Sequence, residues 1–183
     1  MIMNELQTIE DPWLGCGAVF SSCTKYRYAL WRTWNESKDK VLFICLNPST
    51  ADARHNDPTV RRCIGFARRW GFGGMCLCNL FGFRATSPIH LHYAADPVGP
   101  DNDRVLADYA TKARIIVAAW GNGGTYKGRD LAVREAYPNT YVIDLTSKWN
   151  PRHPLYAPYD CKPMLPPWAN LRGELQSGGS PDR

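Results

Sequence analysis

Four short segments of the chain carry residue types able to do chemistry, and each comes after an apolar run. Asn47-Pro48-Ser49-Thr50 follows residues 41–46. Asn79-Leu80-Phe81-Gly82-Phe83-Arg84 ends the run over 75–81. Trp120-Gly121-Asn122 ends the run over 114–120, and Arg152-His153-Pro154-Leu155-Tyr156 lies beyond residues 140–145. An amide side chain donates and accepts at once, so Asn47 and Asn79 suit holding a water or reading the edge of a heterocycle. A histidine serves as donor or acceptor near neutral pH. Arginines bind phosphates. There is no Ser-His-Asp set, no G-x-x-x-x-G-K and no G-x-G-x-x-G after the first strand, which argues against nucleotide hydrolysis by a phosphate loop and against a dinucleotide cofactor. The seven cysteines, at 16, 23, 45, 63, 76, 78 and 161, contain no C-x-x-C pair, so neither a metal nor any other cofactor is expected.

The elements that must position these segments follow from periodicity. Residues 17–34 alternate and are rich in aromatics, as in a hairpin or pair of strands. Residues 41–46 are continuously apolar, the pattern of a strand buried on both faces. Asp57-Pro58 opens a helix that runs to about Trp70 and stops at Gly71. Residues 75–81 form a second buried strand. A polar loop with Pro88, Pro97 and Pro100 follows, then a helix capped by Asp101 or Asn102 that reaches Lys112. Residues 114–120 are a third strand, 126–136 a helix and 140–145 a fourth strand. The proline-rich stretch after it is irregular. A short helix is expected at 166–175 and a disordered tail at 177–183. The fold class is therefore α/β: a three-layer αβα arrangement with a central four-stranded parallel sheet plus an N-terminal β-hairpin, in one domain over 1–176. Ligands of such sheets bind at the carboxyl ends of the strands, so the loops starting at Asn47, Asn79, Gly121 and Thr146 should converge on one cleft.

Composition bounds the partners. Apolar residues make up 44% and charged residues 21%, ordinary for a domain with its own core. No apolar run is long enough to span a bilayer, and the first twelve residues are polar and acidic rather than secretory. The cysteines are then read as reduced thiols in the cytoplasm, and a monomer is expected. The net charge of +5 is mild. Arg61, Arg62, Arg68 and Arg69 lie within nine residues and would form a stripe along one helix; on charge alone this is a solvated helix face, and with a nucleic-acid site it would be a phosphate contact.

The same four segments resemble, in order and spacing, the motifs of the uracil-DNA glycosylase superfamily, closest to its mismatch-specific, thymine-DNA glycosylase-like branch. Leu46-Asn47-Pro48-Ser49 is similar to the first motif. Cys78-Asn79-Leu80 is similar to the strand-end asparagine motif. Ala119-Trp120-Gly121-Asn122 resembles the third-strand end, and Arg152-His153-Pro154-Leu155-Tyr156 the histidine-proline motif of the last loop. The longer strings LNPSTADARHNDPTVRRC and NLFGFRAT also resemble an uncharacterised domain family of bacteria and phages. The resemblance implies that Asn47 positions the attacking water and that His153 donates to the base carbonyl. It implies that Asn79, with Trp120 as a stacking surface, binds a flipped base. Leu155 and Tyr156 would form a wedge in the duplex. Arg84, Arg152, Arg61 and Arg62 would contact phosphates. The partner is then double-stranded DNA, and with no lysine in the motifs the product is an abasic site left uncleaved. Cys45 and Ser49 stand where relatives tend to have glycine, and no aspartate adjoins Pro48. These departures point to a non-standard base, such as a glycosylated hydroxymethylpyrimidine in phage DNA, with antiviral defence as the role. The alternatives are repair of uracil or mismatched thymine, a non-catalytic DNA-binding or damage-sensing module, and an enzyme of free modified nucleotides.

Overall fold

The computed structural model describes residues 5–172. Seven strands form one sheet: β1 (Gln7–Asp11), β2 (Cys16–Phe20), β3 (Arg27–Thr33), β4 (Lys40–Cys45), β5 (Gly74–Asn79), β6 (Ile115–Ala118) and β7 (Tyr141–Val142). Their spatial order is β1-β2-β3-β5-β4-β6-β7. β5, β4, β6 and β7 run parallel, as the apolar runs require. The sheet is nevertheless mixed and larger than the four parallel strands expected. The N-terminal strands are no separate hairpin: β3 pairs antiparallel with β5, through Leu30↔Leu77 and Trp31↔Cys76, and β1 adds an outer strand on β2. The reason is the edge of β5. All six residues of β5 are buried, and an open edge there would leave a row of backbone donors and acceptors unpaired. The fourth parallel strand is also shorter than expected, two residues rather than six, because the chain bends after Val142 and is tied by the bridges Val142↔Met164 and Leu145↔Pro151.

Side chains of β4 alternate between two cores. Val41, Phe43 and Cys45 face the layer of α1 (Pro58–Arg69), which contributes Val60, Cys63, Phe66 and Ala67. Leu42 and Ile44 face the layer of α2 (Asn102–Thr111) and α3 (Arg129–Ala136), through Val105, Leu106 and Val133. The molecule is thus layered α/β/α. The chain leaves β4 by α1 to reach β5 on one side and returns by α2 to β6 on the other. The switch point, where a cleft opens, is therefore the carboxyl end of β4. The seven cysteines are free thiols. No helix among the described residues is long and apolar enough to cross a membrane.

Helix ends follow local chemistry with one exception. Asp57 caps α1, its carboxylate accepting from the Val60 N–H at 2.8 Å, with Pro58 beside it. Gly71 takes φ +86° just past the end, a conformation that glycine adopts without a Cβ penalty. At α2 neither expected residue caps. Asp101 sits at the cap position but its carboxylate accepts from Arg104, while Asn102 turns inward and donates to the Asn79 carbonyl at 3.0 Å. The short helix expected near 166–175 is a 3-10 turn over Pro167–Arg172, and the tail 177–183 lies outside the described residues.

Two buried arginines of β3 hold the loop after β4. Arg32, 7% exposed, donates from Nε to the Asn56 side chain (2.8 Å) and from Nη2 to the Asp52 carbonyl (2.8 Å). Arg27 donates from Nη1 to the Ala51 carbonyl at 2.6 Å. Removing Arg32 strands these acceptors. Arg32→Ala should lower the unfolding free energy by about 2–4 kcal/mol in urea denaturation. An unchanged midpoint would mean that other contacts hold the loop.

Candidate active site

At the carboxyl end of the parallel strands lies a cleft of about 730 Å³. All four anticipated loops reach it: Asn47, Ser49 and Asp57 from the first, Ala85, Thr86 and Pro88 from the second, Trp120 and Asn122 from the third, and Thr146, Arg152, His153, Leu155 and Tyr156 from the fourth. Backbone and side-chain bonds staple these loops together. Phe81 N–H donates to the Leu46 carbonyl (3.0 Å), Ala85 N–H to the Pro48 carbonyl (2.9 Å) and Gly121 N–H to the Pro151 carbonyl (2.8 Å). The side-chain oxygen of Asn122 accepts from the Thr146 hydroxyl (2.8 Å) and from the Asn150 side chain (3.2 Å).

Asn47 is held by its donors. Its Nδ2 gives one proton to the Pro48 carbonyl (3.0 Å) and one to the Ala85 carbonyl (2.8 Å). The side-chain oxygen is left as the group free to accept. An amide fixed in this way can orient a water through one of the water's protons. His153 is half-buried, and its Nδ1 accepts from the Leu155 N–H at 3.4 Å. Burial pushes the imidazole down to about 4, the negative charge of Asp57 opposing. At neutral pH the ring is uncharged, and with Nδ1 accepting, its proton sits on Nε2 as a donor.

A smaller chamber of about 30 Å³ adjoins the cleft and shares Asn47, Ser49, Asp57, Thr59 and His153 with it. Its other walls include Arg27 and Asn79. Asn79 is fully buried, and neither polar atom of its side chain has a partner. It lines this chamber rather than the open cleft. Arg27 is 1% exposed with Nε unpaired; burial lowers it to about 10, Asp57 opposing, so it keeps its charge at neutral pH.

The remaining expected residues are placed as follows. Trp120 lines the cleft but is 1% exposed, and Gly124 lies so close to its ring that a Cβ there would sit 2.1 Å from Cδ1. It is a wall of the site with no open face for stacking. Leu155 (41% exposed) and Tyr156 (75% exposed) stand at the rim. Arg152 is engaged: Nε donates to Asp144 (2.6 Å) and Nη2 to the Leu145 carbonyl (2.7 Å). Arg62 straps α1 to the last loop, donating to the Pro154 carbonyl (3.0 Å) and to that of Ala157, with its guanidinium 3.6 Å from the centre of the Tyr159 ring. Arg84 lies outside the cleft lining, bonded to the Thr24 carbonyl (3.2 Å) and over Phe20. Arg61 is exposed and donates to the Asn56 carbonyl. Arg68 and Arg69 lie over Trp34 and Tyr159. The arginine-rich helix is thus no single free stripe. Two chamber residues escape a reading by motif: Arg27, whose only signal is a charge inside the aromatic strand KYRYALW, and Asp57, which caps a helix and lines the site at once.

The histidine sets an acid limit. In the unfolded chain it titrates near its ordinary value of 6.5, in the folded chain at about 4. Above 6.5 both states are neutral. As pH falls from 6.5 to 4 only the unfolded chain takes the proton, so stability falls through that window. His153→Gln should lose less stability than the unsubstituted protein between pH 7 and pH 4.5. Equal losses would mean that the ring titrates normally.

Comparison with known proteins gives one result. A family model described as "Protein of unknown function (DUF1643)" matches residues 27–155, which takes in Arg27, Asn47, Asn79, Trp120 and His153. No curated protein and no solved structure matches the chain. With more than half of its length matched, the chain belongs to the DUF1643 family.

Proposed function

We propose that the protein is a monofunctional DNA glycosylase, hydrolysing the bond between a modified base and its sugar to leave an abasic site. The observation that carries this reading is the pairing, in one cleft, of an amide locked as an acceptor, Asn47, with a histidine kept neutral as a donor, His153. Cleavage of an N-glycosidic bond needs both. The sugar becomes oxocarbenium-like and the base leaves with negative charge on its oxygen. Asn47 holds the water whose oxygen bonds to the sugar carbon as the base leaves, and the proton that water sheds balances the one the departing base anion takes up. His153 donates from Nε2 to the base oxygen without itself giving up a charge. No lysine lines the cleft among the described residues, so no Schiff base with the sugar follows. The likeness of four strand-end segments to those of uracil-DNA glycosylases supports the same chemistry. Leu155 and Tyr156, exposed and apolar at the rim, suit a wedge that fills the gap left by a flipped nucleotide. A bare pyrimidine would leave much of a cleft of 730 Å³ empty, which favours a bulky modified base such as a glycosylated hydroxymethylpyrimidine, and with it defence against phages.

One observation favours a second reading. Arg62 and Arg152 spend donors on the protein itself and Arg84 lies outside the cleft lining, which leaves fewer cations for a phosphate backbone than the sequence offers. A free modified nucleoside or nucleotide would need fewer.

The test is incubation with duplexes carrying uracil, mismatched thymine, hydroxymethylated bases, or glycosylated bases from phage DNA. Alkali and a denaturing gel follow. One substrate should be cleaved, and Asn47→Ala should slow it by about 100-fold or more. No cleavage with salt-sensitive binding retained would identify a sensor instead. Leu155→Ala with Tyr156→Ala separates the substrates: it should impair duplex cleavage but leave hydrolysis of a free nucleoside unchanged.

A further inference from the structure

The chamber beside the cleft contains a buried guanidinium that no carboxylate among the described residues pairs with directly. Arg27 comes from β3, the antiparallel neighbour of β5, and its backbone N–H donates to the Gly82 carbonyl at 3.0 Å. The strand order therefore brings it to the carboxyl ends of β5 and β4, beside Asn79 and Cys45. Of its donors, Nη1 serves the Ala51 carbonyl and Nε has no partner. It forms no salt bridge among the described residues. The one carboxylate in the chamber, Asp57, acts on Arg27 through its charge but makes its hydrogen bond to the Val60 N–H at the start of α1, not to the guanidinium. The second unsatisfied group there is Asn79, nine-tenths buried and more, with a free donor and a free acceptor. An unpaired buried cation and an unpaired buried amide both cost free energy, so the folded chain alone gives no reason to keep them. Thirty cubic ångströms is room for one or two non-hydrogen atoms, an edge of a ring rather than a ring.

We propose that Arg27 is the specificity-determining residue of the cleft, its guanidinium binding an oxygen, carbonyl or anionic, on the innermost edge of the ligand's heterocycle. Asn79 then pairs with the ring nitrogen next to that oxygen, as donor or as acceptor according to which way its amide is turned. The inference rests on the reading that a heterocyclic base enters the cleft. It adds that the base must carry an oxygen on a ring carbon, and that this oxygen meets a fixed positive charge. A ring without an oxygen leaves the guanidinium desolvated and unpaired, and a site of this kind rejects such a ring strongly.

The test uses the full chain and three free bases: uracil, cytosine and oxygen-free pyrimidine. Binding is measured by calorimetry or by ligand-observed NMR. Uracil and cytosine should bind roughly ten- to a hundredfold more tightly than pyrimidine. Arg27→Met should remove that preference. Asn79→Leu, which deletes two unpaired buried atoms, should weaken uracil binding without lowering the urea midpoint. Equal affinity for the three bases, binding of none, or a preference that survives Arg27→Met would overturn the proposal. If Arg27→Met does not fold, the panel on the unsubstituted protein and Asn79→Leu still decide. The two readings fail separately. Inert DNA with Arg27-dependent uracil binding would sink the glycosylase and keep the chamber. DNA cleaved with the same base selectivity and KM by Arg27→Met would do the reverse.

Discussion

Strand β4 has neither a free face nor a free edge. Each side chain from Val41 to Cys45 is at most 2% exposed, and both edges pair with parallel neighbours. This constraint organises the rest. Burial on both faces requires helices on both sides, which α1 supplies on one and α2 and α3 on the other. Pairing on both edges requires the chain to go first one way and then the other, and that reversal opens the cleft where β4 ends. Asn47 stands two residues beyond the strand, so the amide that could hold a water is placed by a strand buried on both faces and paired on both edges. Its own bonds to the Pro48 and Ala85 carbonyls then fix the orientation of the side chain.

Around that point the protein departs from the rule that buried polar groups find partners. Arg27 Nε, both polar atoms of Asn79 and the indole nitrogen of Trp120 are buried without one. All three residues line the cleft or its chamber, while Tyr28 Oη, Asn102 Oδ1 and Arg84 Nε are buried without a partner away from it. Elsewhere, as at Arg32, a buried arginine is surrounded by carbonyls that accept from it. Two arginines of the same strand thus differ: the guanidinium of Arg32 is engaged by carbonyls, and that of Arg27 keeps an unpaired Nε beside the cleft. The same burial lowers both groups, enough to keep His153 neutral but not enough to discharge Arg27, which starts from a far higher value.

Several arginines among the described residues serve the protein itself. Arg62 joins α1 to the last loop, Arg152 joins that loop to Asp144, and Arg129 meets both Asp103 and the Leu80 carbonyl at 3.1 Å. These contacts hold the loops that form the cleft. A count of arginines is therefore a poor measure of affinity for phosphate here, because planar guanidinium groups serve equally well as cross-links between carbonyls.

Local order was legible without coordinates. Continuous apolar runs marked the parallel strands, Asp57-Pro58 and Gly71 marked the ends of α1, and the position of each polar segment after a strand marked the cleft. These signals depend on burial and turn chemistry within about ten residues, which the chain writes in its own neighbourhood. The joining of β3 to β5, the inward turn of Asn102 and the shortness of β7 were not legible. Nor was the meeting in one chamber of Arg27 and Asn79, 52 positions apart in the chain. Those depend on which edge lacks a partner and which carbonyl lacks a donor once the sheet has formed. Only the folded chain settles that, because hydrogen-bond pairing between distant segments leaves no periodic trace in either one.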